Sequence, residues 1–388
     1  MDLSFSDDQL AIRDTIAKLC LRYDDDYWLA RDREGGFPED FVKDLADGGW
    51  LGIAMPPEYG GSGLGVTEAS LMMQTIARSG AGYSGASAVH INLFGPHPIV
   101  VHGTEEQKSR MLPPLIRGED RTCFGVTEPN AGLDTTSIET KAEKDGNRYI
   151  VNGRKIWTST AQSANKVMLL ARTTARADCR KPTDGITLFY TDLDRDHCEV
   201  REIEKMGRKA VDSNAVFIDG LPVPEEDRIG EEGRGFYYIL DGINPERIMI
   251  GAEAVGLGRA ALAKAVDYAN EREVFGRQIG QNQAIQHPLA DAWAHLEAAD
   301  AIVWKAATLY DAGQPCGAEA NAAKYLAAEA CFTACERAVM THGGMGYAKE
   351  YHVERYLRES FISRIAPVSR EMVLNYIGQH VLGLPRSY

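Results

Sequence analysis

Hydrophobic spacing changes twice along this chain of 388 residues, and the two changes divide it into three parts. Up to about residue 120, Leu10, Ile12, Ile16 and Leu19 recur at helical spacing, and Phe41 with Leu45, then Leu71, Met72 and Ile76, mark later helices. The run Met55-Pro56-Pro57-Glu58-Tyr59-Gly60-Gly61-Ser62-Gly63 is too dense in turn formers to be other than a loop. From 121 to 232 the texture becomes short β-type runs at Arg148 to Val151, Lys166 to Ala171, Ile186 to Thr191 and Ala215 to Ile218. Asp145-Gly146-Asn147, Asn152-Gly153, Asp184-Gly185 and Asp219-Gly220 separate them as turns. After Gly235 long Ala-rich helices run to 336, followed by the bend His342-Gly343-Gly344-Met345-Gly346 and two more helices. The expectation is an α+β protein: an N-terminal helical domain over 1–120, a middle antiparallel β domain over 121–232, and a C-terminal helical bundle over 233–388. Strands that do not alternate with helices argue against a doubly wound sheet. The string Gly256-Leu257-Gly258-Arg259-Ala260-Ala261 has the letters of a dinucleotide fingerprint but sits inside a helical pattern with no strand before it, so it reads as close helix packing.

A hydrophobic fraction of 44% is enough to bury a large core in each part. The net charge of −14 argues against a general polyanion binder, while leaving room for a local positive patch that holds a small anion. Met1-Asp2-Leu3-Ser4-Phe5-Ser6-Asp7-Asp8 has neither the basic start nor the apolar stretch of a signal peptide, and no apolar run is long enough to span a bilayer. Seven cysteines, an odd number with no CxxC pair, fit a reducing compartment. These features imply a soluble, unprocessed, cytoplasmic protein. Cys331 and Cys335 stand four apart in an Ala-rich helical stretch and read as core fillers, and the nine histidines form no HExxH pattern, so no metal is expected.

Two runs carry the chemistry. Cys123-Phe124-Gly125-Val126-Thr127-Glu128-Pro129-Asn130-Ala131-Gly132-Leu133-Asp134 is followed by Val151-Asn152-Gly153-Arg154-Lys155-Ile156-Trp157-Thr158-Ser159. Together they resemble the flavin-binding signature of the acyl-CoA dehydrogenases, and the resemblance extends over essentially the whole chain. It implies an FAD enzyme in which Phe124, Val126 and Thr127 meet the flavin ring, with Trp157 and Ser159 flanking it. An apolar, aromatic wall with a few placed donors suits such a ring. Glu271-Arg272-Glu273-Val274-Phe275-Gly276 and Gln283 resemble the segment that reaches a partner subunit's flavin, with Arg272 at the diphosphate and Phe275 and Gln283 beside it. Gly343 and Gly344 match a glycine bend at the adenosine end. Met340, Ser369 and Glu371 complete the implied cofactor set, although Met340 stands where a Gln is common and Leu133, on the substrate side, where a Ser is usual. The family pattern implies a homo-oligomer, a tetramer built as a dimer of dimers, and an electron-transfer flavoprotein as redox partner. The helix around Leu71 and Met72 is a candidate docking patch for that partner, although core packing is the expected role of each residue taken singly.

The catalytic carboxylate departs from the common pattern. Aligning Arg364-Ile365-Ala366-Pro367-Val368-Ser369-Arg370-Glu371 with the usual C-terminal stretch puts Pro367 where the base commonly stands, and proline takes no proton. Isovaleryl-CoA and long-chain acyl-CoA dehydrogenases place the base on an earlier helix, just before an arginine, and that position reads Asn244-Pro245-Glu246-Arg247. The resemblance therefore implies Glu246 as base, with Arg247 beside it to orient or tune the carboxylate. The expected reaction takes the α-proton to Glu246 and the β-hydride to flavin N5. Pro367 also lacks the N–H that polarises the thioester oxygen in the family. Either the register is off by a residue, or Val368 N–H or a water takes that place. The expected substrate contacts are Leu133, Asn244, Arg247 and Pro367. Ala86, His90, Ile91 and Phe94 line the far end of the acyl channel, Ala86 opening it and Ile91 and Phe94 narrowing it. An acyl-CoA oxidase or flavin monooxygenase on the same scaffold is the competing enzyme reading, disfavoured because the chain carries no oxidase-type C-terminal extension. A non-catalytic flavoprotein scaffold is the competing reading outside enzymes.

Overall fold

The computed structural model describes residues 5–387; Met1 to Ser4, part of the N-terminal reading above, lie outside the described residues. The chain opens with α1 (Asp7–Cys20), α2 (Asp25–Glu34), α3 (Glu39–Asp47), α4 (Val66–Ile76), α5 (Gly82–Phe94), α6 (His97–His102) and α7 (Glu105–Ile116). Local chemistry fixes their starts. Ser6 Oγ accepts from the Gln9 N–H at 3.2 Å while Gln9 Oε1 accepts from the Ser6 N–H at 3.0 Å, a reciprocal cap that starts α1. Thr104 and Gln107 repeat the device at α7.

The middle segment forms β1 (Thr122–Gly125), β2 (Lys141–Asp145), β3 (Arg148–Ser159), β4 (Lys166–Arg172), β5 (Ile186–Asp192), β6 (Cys198–Glu202), β7 (Ser213–Pro224) and β8 (Arg228–Ile229). Their order in the sheet is β6-β7-β3-β2-β4-β5-β8, with β1 beside β4. The expected wholly antiparallel sheet needs correction, because β1 and β4 pair in parallel and β2 meets β4 in parallel at Lys141 and Arg172. Asn152-Gly153 is not a turn either. β3 runs straight through it, and the register against β7 shifts between Val151 and Gly153. The glycine is needed there because a Cβ on Gly153 would come within 2.3 Å of the Thr140 hydroxyl oxygen.

Helices return with α8 (Gly235–Asp241) and α9 (Ile243–Glu271), then the hairpin β9 (Glu273–Val274) and β10 (Arg277–Gln278). After them come α10 (Gln283–Asp311), α11 (Gly317–His342), α12 (Val353–Ile365) and α13 (Arg370–Tyr376). Arg272 is therefore not inside a helix but closes α9, and Phe275-Gly276 forms the hairpin turn with both residues at positive φ. The first and last thirds of the chain share one continuous apolar core, in which α4 and α5 pack against α9, and α9 against α11. Leu71 and Met72 are buried in it, which removes them as a docking patch. Cys331 and Cys335 are buried in it as well.

Glycine sets how closely these helices approach. A Cβ on Gly256 would lie 2.3 Å from the Gln74 carbonyl oxygen of α4, and one on Gly258 would lie 2.6 Å from the Leu296 side chain on α10. The fingerprint-like string is helix packing. Because the atom met by Gly256 is backbone, Gly256→Ala forces α4 and α9 apart and lowers stability by about 1–3 kcal/mol in chemical denaturation. An unchanged midpoint would contradict the close contact.

Candidate functional site

β1 and β3 carry the two signature runs, and the sheet brings them together. The Ile156 N–H donates to the Thr127 carbonyl at 2.9 Å, which sets Phe124, Val126 and Thr127 beside Trp157. All three are half-buried, and Trp157 is 56% exposed with φ 59°. That left-handed conformation is unusual for a bulky side chain, and here it turns the indole out of the sheet at the second register shift, between Lys155 and Thr158. Beneath the loop after β1 lies a buried ion pair. Lys155 Nζ donates to Glu128 Oε1 at 2.8 Å and to the Val126 carbonyl at 3.2 Å. Glu128 also accepts from the Glu139 N–H at 2.6 Å and the Thr140 N–H at 3.0 Å. Burial pushes the Lys155 ammonium down to about 8 against the pull of Glu128. Burial acts to raise Glu128, but Lys155 and the backbone donors outweigh it and hold the carboxyl below its ordinary range.

Ser159, at the end of β3, is tied to the helical layer. Arg208, between β6 and β7, donates to Ser159 Oγ at 3.3 Å and to Ser87 Oγ on α5 at 3.0 Å. His90 lies three residues beyond Ser87 on the same face of α5. Its ring is wedged between two carboxylates of α9, with Nδ1 2.5 Å from Glu253 Oε1 and Nε2 3.1 Å from Glu246 Oε2. The first contact is a hydrogen bond; the second is at ion-pair distance, but the groups are not aligned as donor and acceptor. Burial alone would lower the His90 pKa, and the two carboxylates outweigh it and raise it well above the ordinary histidine value. Glu246 lies in the first turn of α9, where the helix dipole favours a carboxylate, and its side chain is only 14% exposed.

Arg247 does not take the place expected for it. It forms no ion pair with Glu246; Nη1 donates to Asn244 Oδ1 at 3.2 Å, and the guanidinium lies 6.0 Å from the centre of the Tyr376 ring. His90, expected at the far end of an acyl channel, lies against Glu246. Its ring is 6.0 Å from that of Phe94, which closes against Gly242. Ala86 is wholly buried in the helical core. Ile91 is half-buried.

The C-terminal segment is built differently from the signature runs. Pro367 is exposed and follows a cis peptide bond after Ala366, and the neighbouring Val368 carbonyl accepts from the buried Lys324 Nζ. Ser369 caps α13 by accepting from the Met372 N–H at 3.3 Å, so its hydroxyl already has a structural task. Glu371 is exposed beside Arg370, and Leu133 is exposed on the loop after β1. Arg272, Phe275, Gln283, Met340, Gly343 and Gly344 are all exposed. They are not scattered, because Tyr268 stacks on His342 with ring centres 4.3 Å apart and holds the ends of α9 and α11 together. Arg272 and the Gly343-Gly344 bend leave from those neighbouring ends.

The sequence reading did not identify Glu253, Lys155, Glu128, Arg208 or Lys324 as partners. A signal existed for Glu253, a carboxylate within the otherwise apolar run of α9 and two turns from Glu246 on the same face.

The chain matches three family models in succession: the acyl-CoA dehydrogenase N-terminal domain over residues 6–119, the middle domain over 123–221 and the C-terminal domain over 233–382. It is 37% identical to the acyl-CoA dehydrogenase fadE12 of Mycobacterium bovis, with 100% of each chain covered. It is 36% identical to the benzylmalonyl-CoA dehydrogenase of Aromatoleum aromaticum over 98% of this chain and 100% of that one. Among solved structures, the butyryl-CoA dehydrogenase of Megasphaera elsdenii superposes with a TM-score of 0.93 at 30% identity, covering 98% of this chain and 100% of that one.

The buried pair under the β1 loop sets a pH dependence. A carboxyl held below its unfolded value contributes stability that is fully present above the ordinary 4.5 and is lost as pH falls through the lowered native value. Glu128→Gln leaves the Lys155 ammonium unpaired and costs about 3 kcal/mol at neutral pH. The melting gap between the variant and the parent protein narrows on acidification. A gap that is the same at neutral and acid pH would contradict this role.

Proposed function

The chain belongs to the acyl-CoA dehydrogenase family, and from that premise we propose that it oxidises an acyl-CoA thioester to the trans-2-enoyl-CoA with Glu246 as the base. The observation that carries the reading is the setting of Glu246. It is a largely covered carboxylate at a helix N-terminus, with Oε2 engaged by His90, while the C-terminal segment offers Pro367 in the place of a base. Acyl-CoA dehydrogenases bind FAD, and the residues here fit that group. The open face of Trp157 next to half-buried Phe124 and Val126 gives an aromatic and apolar wall, and Thr127 and Ser159 supply hydroxyls. A Cβ on Gly343 or Gly344 would meet no atom within 4 Å, leaving free approach to that backbone, with Arg272 nearby for a diphosphate. When bound, FAD supplies the acceptor for the β-hydride.

The chain itself handles the proton. The carboxylate of Glu246 takes the proton from Cα, the pair of electrons left behind forms the Cα–Cβ double bond, and the β-hydrogen leaves with its own pair. As Cα loses its proton the thioester oxygen gains negative charge and needs aimed donors. Pro367 supplies none, so Val368, whose carbonyl is held by Lys324, is the first residue after it with a backbone N–H to offer. Arg247 turns towards Asn244 and Tyr376, and among the described residues its buried Nε has no hydrogen-bond partner.

Exposed Phe275, Met340 and Tyr347 are large apolar surfaces at the ends of α9 and α11, and they support assembly with further copies of the chain, as a tetramer. The electron acceptor in this reading is an electron-transfer flavoprotein, and the setting is cytoplasmic. Among the described residues no helix is long and apolar enough to cross a membrane. On the substrate side, moving the base to α9 leaves compact Ala366 and Pro367 where bulkier side chains stand in relatives with a C-terminal base. Room for a branch or ring near Cα and Cβ follows, and the benzylmalonyl-CoA dehydrogenase relative supports it.

Glu246→Gln retains FAD and thioester binding but slows flavin reduction in anaerobic single-turnover mixing by roughly 10²–10⁴-fold. Reduction near the parental rate would remove Glu246 from the role. Comparing kcat/KM for butyryl-, octanoyl-, isovaleryl- and cyclohexanecarboxyl-CoA tests the pocket. Branched, cyclic or medium-to-long acyl groups are expected to exceed butyryl by about tenfold or more, and an optimum at butyryl-CoA would contradict the pocket argument.

A further inference from the structure

A carboxylate in a covered acyl pocket is under pressure to protonate, because burial disfavours the charged form. A base must be ionised before its substrate arrives. Glu246 is largely covered, and the cation of the active-site cluster that touches it is not its neighbour in sequence, Arg247, but His90 on another helix. His90 is in turn pinned from behind by Glu253, which is wholly buried and makes a short hydrogen bond to Nδ1. The order along this line is therefore carboxylate, imidazole, carboxylate, with only Glu246 reaching the edge of the core.

We propose that His90, anchored by Glu253, is the positioning residue that presents Glu246 to the substrate as an ionised carboxylate; this rests on the reading of Glu246 as base. Nε2 occupies the side of Oε2, which leaves Oε1 as the oxygen that meets the α-hydrogen. Glu253 gives the imidazolium a fixed counter-charge that does not take part in the reaction. When Glu246 takes the proton and becomes neutral, His90 and Glu253 remain a compensated pair in the core, so the cation is not stranded by the reaction. The ring does not donate or accept the substrate proton; it sets the charge and direction of the group that does.

The other charged and titratable groups around this packing are Arg247 on α9, Arg208 between β6 and β7, Tyr83 on α5, Glu359 on α12, and Cys331 and Cys335 on α11. Arg208 feels both Glu359 and Glu253 and balances them from the sheet side. Arg247 feels Glu246 only through space. None of these groups replaces His90 at Glu246 Oε2.

The test is the pH profile of kcat/KM in the FAD-loaded enzyme, which reports the essential base in the free protein. His90→Gln keeps the size and polarity of the side chain but removes the cation. The acid limb moves up by about one to three units, so the loss is greatest at low pH and shrinks as pH rises. Glu253→Gln removes the negative charge behind the ring and leaves His90 as the charged neighbour of Glu246, so it moves the limb the opposite way, down, and it decides the matter if His90→Gln does not load FAD. A loss of activity equal at every pH, with the limb unmoved in both variants, would reduce His90 to a packing residue and overturn the proposal. Glu246→Gln separates the two levels. If it still reduces its flavin normally, the reading of Glu246 fails; if it is inactive and the histidine limb does not move, the base stands and the positioning role fails.

Discussion

The ion pair between Glu246 and His90 depends on α5 and α9 lying close enough for two acidic side chains of one helix to enclose a single imidazole of the other. Glycines set how α9 sits against the helices on its other sides, α4, α10 and α11. α9 carries Gly251, Gly256 and Gly258 on buried faces, and α4 comes against Gly256 so tightly that a methyl group has no room. Larger residues there would shift α9 within the core, and any shift of α9 relative to α5 turns a buried, compensated array into separate buried charges. The tight apolar packing and the polar cluster inside it are one construction.

The same logic joins the sheet to the helices. Arg208 bridges Ser159 at the end of β3 and Ser87 on α5, so the strand bearing Trp157 and the helix bearing His90 are fastened by one guanidinium. The Lys155–Glu128 pair holds the β1 loop from below. The candidate flavin wall and the candidate base thus rest on separate buried ionic supports, one in each layer. In the proposed reading Pro367 leaves no acid at the position of the common C-terminal base, and Glu246, a covered carboxylate at the start of α9, takes that role.

The order of helical, β and helical segments was legible because helical and strand periodicities differ and both are long enough here to be distinct. Asn152-Gly153 was misread because a strand irregularity and a turn use the same residue types, and only the partner strand distinguishes them. Leu71 lies on the helix face that carries Thr67, Glu68 and Thr75, so the pattern leaves its burial open until α1 and α10 pack against α4. Phe124, Thr127, Trp157 and Glu246 could be singled out because they lie in contiguous runs. The Glu253–His90 contact could not, since 163 residues separate the partners and their meeting depends on how two helices pack. Arg247 shows the opposite failure. Adjacent to Glu246 in sequence, it points elsewhere, because consecutive residues on a helix do not face one another.

The central claim is that Glu246, held from behind by His90, is the group that faces the substrate Cα. A crystal structure of the FAD-loaded protein with an unreactive acyl-CoA analogue tests it most directly. The account predicts a Glu246 carboxylate oxygen at about 3–3.5 Å from Cα, with the other oxygen still against His90 Nε2. A different carboxylate at Cα, or Glu246 turned away from the bound thioester, would contradict it.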